Sequence, residues 1–230
     1  MRARVASKEP GNDRIRAVIA FLVIFIFLNV LFAWLTGLLY NLGYLGSDAY
    51  NAELDALLSM SFSISVFYYL FLYRRETPGR IVSGLGLGRS VITPKRLAVG
   101  LLLFAIVAVM EAMMTAFSGA TGVRISSGAA TALASLPFWF YIFSAIIAPI
   151  NEEILFRGFL VPRIGIVASS VLFAIGHIGY NSTFGVEVIG AFAFGLLSGY
   201  VYKRTGSLYP SIIAHILVNA STLILTFVIL

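Results

Sequence analysis

The chain has 230 residues, of which 60% are hydrophobic and only 11% charged, with a mean hydropathy of +0.96. Soluble domains carry about 25% charged residues, so this composition excludes an ordinary water-soluble domain and points to lipid. Cysteine is absent, which excludes a disulfide framework and thiolate chemistry; the net charge of +6 does not indicate nucleic acid, because the basic residues gather where cytoplasmic loops are expected.

Seven apolar segments follow in chain order, near residues 17–39, 53–73, 96–117, 137–161, 165–180, 186–202 and 207–229. Most approach the ~20 residues needed to cross a ~30 Å hydrocarbon layer. The first is too long for a cleavable leader and is expected to be retained. Segments five and six are short and carry glycines, and an eighth crossing is the alternative count.

The connections sort by charge. Arg2, Arg4, Lys8, Arg14 and Arg16 precede the first segment, and Arg74, Arg75, Arg80, Arg89, Lys95 and Arg96 fill the second loop. Arg163 follows segment four, Lys203 and Arg204 follow segment six, and the alternate loops hold only Arg124. The excess of Lys and Arg on the cytoplasmic side then predicts a multi-pass protein of the cell membrane, an all-α helical bundle with its N-terminus in the cytoplasm. It is expected to be one membrane domain. Residues 1–136 supply the first spans and the basic loop 74–96, and residues 137–230 form the core that carries the polar motifs.

Two glycine patterns are read conservatively. "GLGLG" at 84–88 follows no strand and precedes no Lys-Ser/Thr, so it is expected to be a flexible connector rather than a phosphate loop. Ala191, Gly195 and Gly199 form a small-residue stripe of the kind that lets two membrane helices approach closely.

Segment four, "PFWFYIFSAIIAPINEEILFRGFL", is the anomaly. A charge at the bilayer centre costs at least ~2.5 kcal/mol, so Glu152, Glu153 and Arg157 require a reason. Pro149 removes a backbone hydrogen bond just ahead of them and predicts a kink. Glu153 and Arg157 are four apart with the acid on the N-terminal side, which favours an ion pair. Glu152 points about 100° away from Glu153 and has no helical partner. It is either a catalytic carboxylate or a further member of the Arg157 cluster.

The only two histidines, His177 and His215, also lie in apolar segments, and Asn219 is one turn beyond His215 on the same face. If segments four and five turn near residues 162–165, a rise of 1.5 Å per residue places Glu152 ~15 Å and His177 ~18 Å from that turn. The same rise from the start of segment seven places His215 ~12 Å and Asn219 ~18 Å deep. All four therefore share a depth. A carboxylate and an imidazole meeting at one water can make it nucleophilic, and a second imidazole with an amide N–H can serve a developing oxyanion. No G-x-S-x-G elbow is present to support a serine nucleophile.

"EEILFRG", "FAIGH" and "GLLSGYVYKRTGSLYPSIIAHILVN" resemble the signatures of the CPBP intramembrane proteases. That family includes the type 2 CAAX prenyl endopeptidases and the Abi bacteriocin-immunity proteins. The resemblance spans about 137–225 and implies a glutamate-dependent endopeptidase acting on a peptide or lipidated protein, with prenylated CAAX-type tails one candidate. By matching positions, Glu152 and His177 would activate water, His215 and Asn219 would stabilise the oxyanion, and Glu153 and Arg157 would support the site. The resemblance also raises zinc, held by two histidines and a carboxylate. No H-E-x-x-H is present, and a mechanism without metal or cofactor is the expectation. The competing classes are a non-enzymatic immunity or scaffold protein and a proton-coupled transporter, though no internal repeat supports the latter. Membrane lipids are the expected surroundings. Oligomeric state has no sequence signal, and Glu111 in segment three has no assigned role.

Overall fold

The computed structural model describes residues 11–121, 136–178 and 186–229, and within them the fold is all-α. Arg124, the one basic exception among the outer loops, lies outside the described residues. Helix α1 spans Gly11–Asn41, and α2 spans Ser47–Tyr68 and runs on through a π turn, Tyr69–Tyr73. A seven-residue helix α3, Pro78–Gly84, and a short 3₁₀ turn, Arg89–Val91, lead into α4, Pro94–Thr121. Proline opens both α3 and α4, where its missing N–H and fixed φ carry no penalty.

The next stretch is a single long helical run with two irregular interruptions. It comprises α5 (Phe138–Ile142), a π turn (Phe143–Ile147), α6 (Ala148–Glu153), a second π turn (Ile154–Leu160) and α7 (Val161–Gly176). At Gly165 the backbone leaves the helical region, with φ 89° and ψ 171°, and the chain reverses there. The Ser169 hydroxyl donates to the Phe156 carbonyl at 2.7 Å across the two arms of the hairpin. The turn expected near residues 162–165 is therefore present. Helices α8 (Val186–Thr205) and α9 (Tyr209–Ile229) complete the chain.

Among the described residues four helices are long and apolar enough to cross a membrane: Asn12–Asn41, Ser47–Tyr73, Pro94–Phe117 and Phe138–Gly176. The last is divided at Gly165, and Tyr209–Leu225 is a shorter apolar helix. Val23, Phe27, Val30 and Trp34 of α1 are more than half exposed, the surface that acyl chains cover in a membrane protein.

The buried core centres on the π turn after α6. Ile154, Leu155, Phe156, Phe159 and Leu160 pack against Phe21 of α1, Tyr69 at the end of α2, Phe173 of α7, and Leu208. The small-residue stripe on α8 behaves as expected. A side chain at Gly195 would strike Ser170 at 2.8 Å, and one at Gly199 would strike Ile166 at 2.9 Å. Gly100 of α4 allows the same close approach to α9, since a Cβ there would lie 2.9 Å from the Pro210 carbonyl.

The "GLGLG" segment is docked rather than loose. Leu208 N–H donates to the Gly86 carbonyl at 3.1 Å, and the Tyr209 hydroxyl donates to the Leu87 carbonyl at 2.9 Å. Gly86 has φ 78°, and a Cβ there would sit 2.8 Å from the Gly206 carbonyl. Gly86 serves a close backbone crossing at the start of α9, the helix that carries His215.

Candidate active site

Glu153 and Arg157 meet as the four-residue spacing predicts, with Arg157 Nη1 3.1 Å from Glu153 Oε1. Both are fully enclosed, at 0% and 1% exposure, so each neutralises a charge that would otherwise be prohibitively buried. Arg157 Nε donates to the Ser198 hydroxyl at 2.7 Å, which ties the pair to α8. Its guanidinium lies over the Phe173 ring at 4.2 Å and the Phe194 ring at 5.1 Å. Delocalised charge is well matched to those aromatic faces.

His215 reaches this pair from α9. Its Nδ1 lies 3.0 Å from the same carboxylate oxygen, Glu153 Oε1. A carboxylate only accepts, so Nδ1 carries the proton. The opposite nitrogen, Nε2, faces Glu152 Oε2 at 3.8 Å, beyond hydrogen-bond length. Glu152 is 18% exposed, and Oε2 is buried without a hydrogen-bond partner among the described residues. Glu152 forms no ion pair with Arg157 within 4 Å, although its charge acts on that guanidinium together with that of Glu153. It stands beside that pair as a carboxylate with an uncommitted oxygen.

His177 ends α7. Its backbone N–H bonds the Ala174 carbonyl at 3.0 Å, the tighter pattern of a closing helix, and so releases the Phe173 carbonyl. The ring takes up that acceptor through Nδ1 at 2.8 Å. A carbonyl only accepts, so Nδ1 holds the proton and Nε2 presents a lone pair in the neutral ring. No hydrogen bond or ion pair joins His177 to Glu152. The two imidazoles are instead linked by Phe173, whose ring centroid is 4.5 Å from His177 and 5.7 Å from His215.

Asn219 donates through Nδ2 to the Ser144 carbonyl at 3.0 Å. The reason lies in the kinked helix. Ala148 N–H bonds Phe143, five residues back, so the next carbonyl in that pattern, Ser144, would await the N–H of residue 149. Residue 149 is proline and has none. Asn219 fills the gap, and the predicted kink takes the form of a π turn.

Of the six residues expected from the sequence, the structure groups Glu152, Glu153, Arg157 and His215 most tightly. Phe173 and Ser198 join the site although the sequence does not distinguish them within the motifs quoted above, and Ser144 lies in no signature. Glu111 is exposed on α4 and makes no side-chain contact with this group. Glu152 and His215 could share a cation, yet among the described residues no three His, Asp or Glu side chains are grouped as metal ligands.

Comparison with known proteins points to the same region. Residues 134–221 match the family model described as Type II CAAX prenyl endopeptidase Rce1-like. A stretch of 79 residues is 35% identical to the uncharacterized protein YpbD of Bacillus subtilis (strain 168), covering 34% of this chain and 41% of that protein. The chain thus spans about two fifths of the length of that curated relative. No solved structure matches.

Proposed function

We propose that this membrane protein, whose residues 134–221 carry an Rce1-like domain, is an intramembrane endopeptidase that hydrolyses a peptide bond with a water activated by Glu152. The observation that carries the reading is the pairing of Glu152 Oε2 with His215 Nε2 across 3.8 Å, beside a Glu153–Arg157 pair that neutralises itself. Glu152 Oε2 is buried with no hydrogen-bond partner among the described residues, which leaves that oxygen open to a water, while its charge also acts on Arg157.

In this reading Glu152 takes a proton from water as the oxygen attacks the scissile carbonyl. The neutral His177 ring offers its Nε2 lone pair as a second acceptor for that water. The carbonyl oxygen gathers negative charge. It receives hydrogen bonds from His215 Nε2–H in its imidazolium form and from the second N–H of the Asn219 amide. Glu153 holds the His215 ring from behind. Glu152 then returns its proton to the departing amine, and the peptide bond is broken with no covalent intermediate. No metal enters this scheme.

The reading includes seven spans: α1, α2, α4, the run from α5 to Leu160, α7, α8 and α9. The N-terminus is cytoplasmic, and the site lies toward the inner leaflet of the cell membrane. The split at Gly165 and the distribution of basic residues support it. A lipidated peptide is the substrate class proposed, with prenylated CAAX-type tails suggested by the family description.

The test is an unbiased comparison of membrane peptides from cells making the wild-type protein or Glu152→Ala. Uncleaved precursors should accumulate in the variant. Identical peptide profiles with equal protein levels would eliminate the enzyme and favour a scaffold. Glu152-dependent proton flux in liposomes would favour a transporter.

A further inference from the structure

We propose that Asn151 is a positioning residue for Glu152, held in place by Ser63 of α2. The six residues of α6 lie between two π turns, Phe143–Ile147 and Ile154–Leu160. Each π turn shifts the register of the side chains that follow it, so ordinary helical periodicity does not fix which way α6 faces. Cross-helix contacts must do so. Glu152 forms no cross-helix hydrogen bond through Oε2, and its approach to His215 Nε2 on α9, at 3.8 Å, is too long to hold it. Its two chain neighbours supply them on opposite sides.

Glu153 is fastened to α9 through His215 at 3.0 Å. Asn151 is fastened to α2: the Ser63 hydroxyl donates to Asn151 Oδ1 at 2.7 Å, and Asn151 Nδ2 reaches the Ser59 hydroxyl at 3.5 Å. Ser59 and Ser63 are one helical turn apart, so together they present two hydroxyls to a single amide. Asn151 is 7% exposed, so an apolar residue would pack there at least as well if burial were all the position required. Phe62, the chain neighbour of Ser63, meets Phe156 with ring centroids 5.8 Å apart and adds a second contact between α2 and this helical run. Glu152 is aimed by being the middle residue of three whose flanks are both pinned. A displacement of about 1 Å at a reacting group can cost on the order of 10²-fold in rate, so the pin on the Asn151 side should appear in turnover.

The turnover arm of the test rests on the endopeptidase reading, and a labelling arm does not. The full-length protein in detergent is treated with dicyclohexylcarbodiimide, an apolar reagent for buried carboxyl groups, and modification of Glu152 is followed by peptide mass spectrometry. In parallel, cleavage of an internally quenched farnesylated CAAX peptide is measured. Ser63→Ala and Asn151→Ala should each change the Glu152 labelling rate and lower kcat by about tenfold or more, with KM within about threefold. Ser63→Thr, which keeps the hydroxyl, should restore both. Ser65→Ala should change neither, because Ser65 lies on the same helix and its buried hydroxyl has no hydrogen-bond partner among the described residues. Folded Ser63→Ala and Asn151→Ala proteins that label at the wild-type rate overturn the proposal. If the wild-type protein leaves the peptide intact, that substrate reading fails, and labelling still decides whether Asn151 aims Glu152.

Discussion

Asn219 donates to the Ser144 carbonyl at 3.0 Å, and this is the carbonyl that Pro149 leaves without a helical donor. One amide N–H therefore maintains the kink, and only the other is free to serve the chemistry proposed above. The two duties can be separated. Asn219→Ala should lower stability in detergent by about 1 kcal/mol, the cost of a partly buried acceptor left without its donor, and should also reduce cleavage. In a Pro149→Ala background residue 149 regains an N–H for Ser144, so Asn219→Ala should then cost little stability and still impair cleavage. Recovery of both properties would remove Asn219 from the oxyanion site.

Adjacent glutamates should respond in opposite ways. Glu152→Gln removes the proposed base and leaves shape and packing alone, so cleavage should fall by at least about 10²-fold while the melting temperature holds or rises. Glu153→Ala strands Arg157, which is 1% exposed, and should cost about 3–5 kcal/mol, seen as a large loss of thermal stability or of folded protein. Measuring both by thermal unfolding and peptide cleavage tests the division of labour. A strongly destabilised Glu152→Gln would mean that this carboxylate is structural.

Metal dependence gives a third test. The proposed hydrolysis uses only side chains, so cleavage by the purified protein should survive 1,10-phenanthroline and EDTA. Activity lost to the chelator and restored by zinc would replace the water–glutamate scheme with one in which Glu152 and His215 act as ligands.

Local features of the site were legible in the sequence. The Glu153–Arg157 pair follows from i,i+4 spacing, and the reversal after Leu160 follows from proline and glycine chemistry. The meeting of Glu152 with His215 agrees with the depth expected from rise per residue, whereas Asn219 bonds Ser144 and His177 bonds Phe173 rather than Glu152. Facing directions did change. Two π turns around α6 break the 3.6-residue period, so periodicity could not show that Asn151 meets Ser63, 88 positions earlier. Nor could it show that the Glu153 carboxylate is shared by Arg157 and His215, which depends on how α9 seats against α6. The "GLGLG" stretch is docked rather than flexible for the same reason: its central Gly86 answers to Gly206, a partner far away in the chain.

That last contact supplies a prediction about how the site is held. Gly165 and Gly86 both have positive φ, at 89° and 78°, so alanine is strained at either position. Their surroundings differ. A Cβ at Gly165 meets nothing within 4 Å, whereas one at Gly86 meets the Gly206 carbonyl at 2.8 Å and Leu208 N at 3.2 Å. Gly165→Ala should therefore cost only the conformational strain, about 1–3 kcal/mol, and leave cleavage by the folded fraction near normal. Gly86→Ala must also push apart the crossing that seats α9, so its loss of stability should be larger, and the folded fraction should cleave poorly because His215 moves with that helix. Thermal unfolding in detergent and cleavage per folded molecule distinguish the two. Equal damage from both substitutions would mean that the docked loop does not set the position of His215.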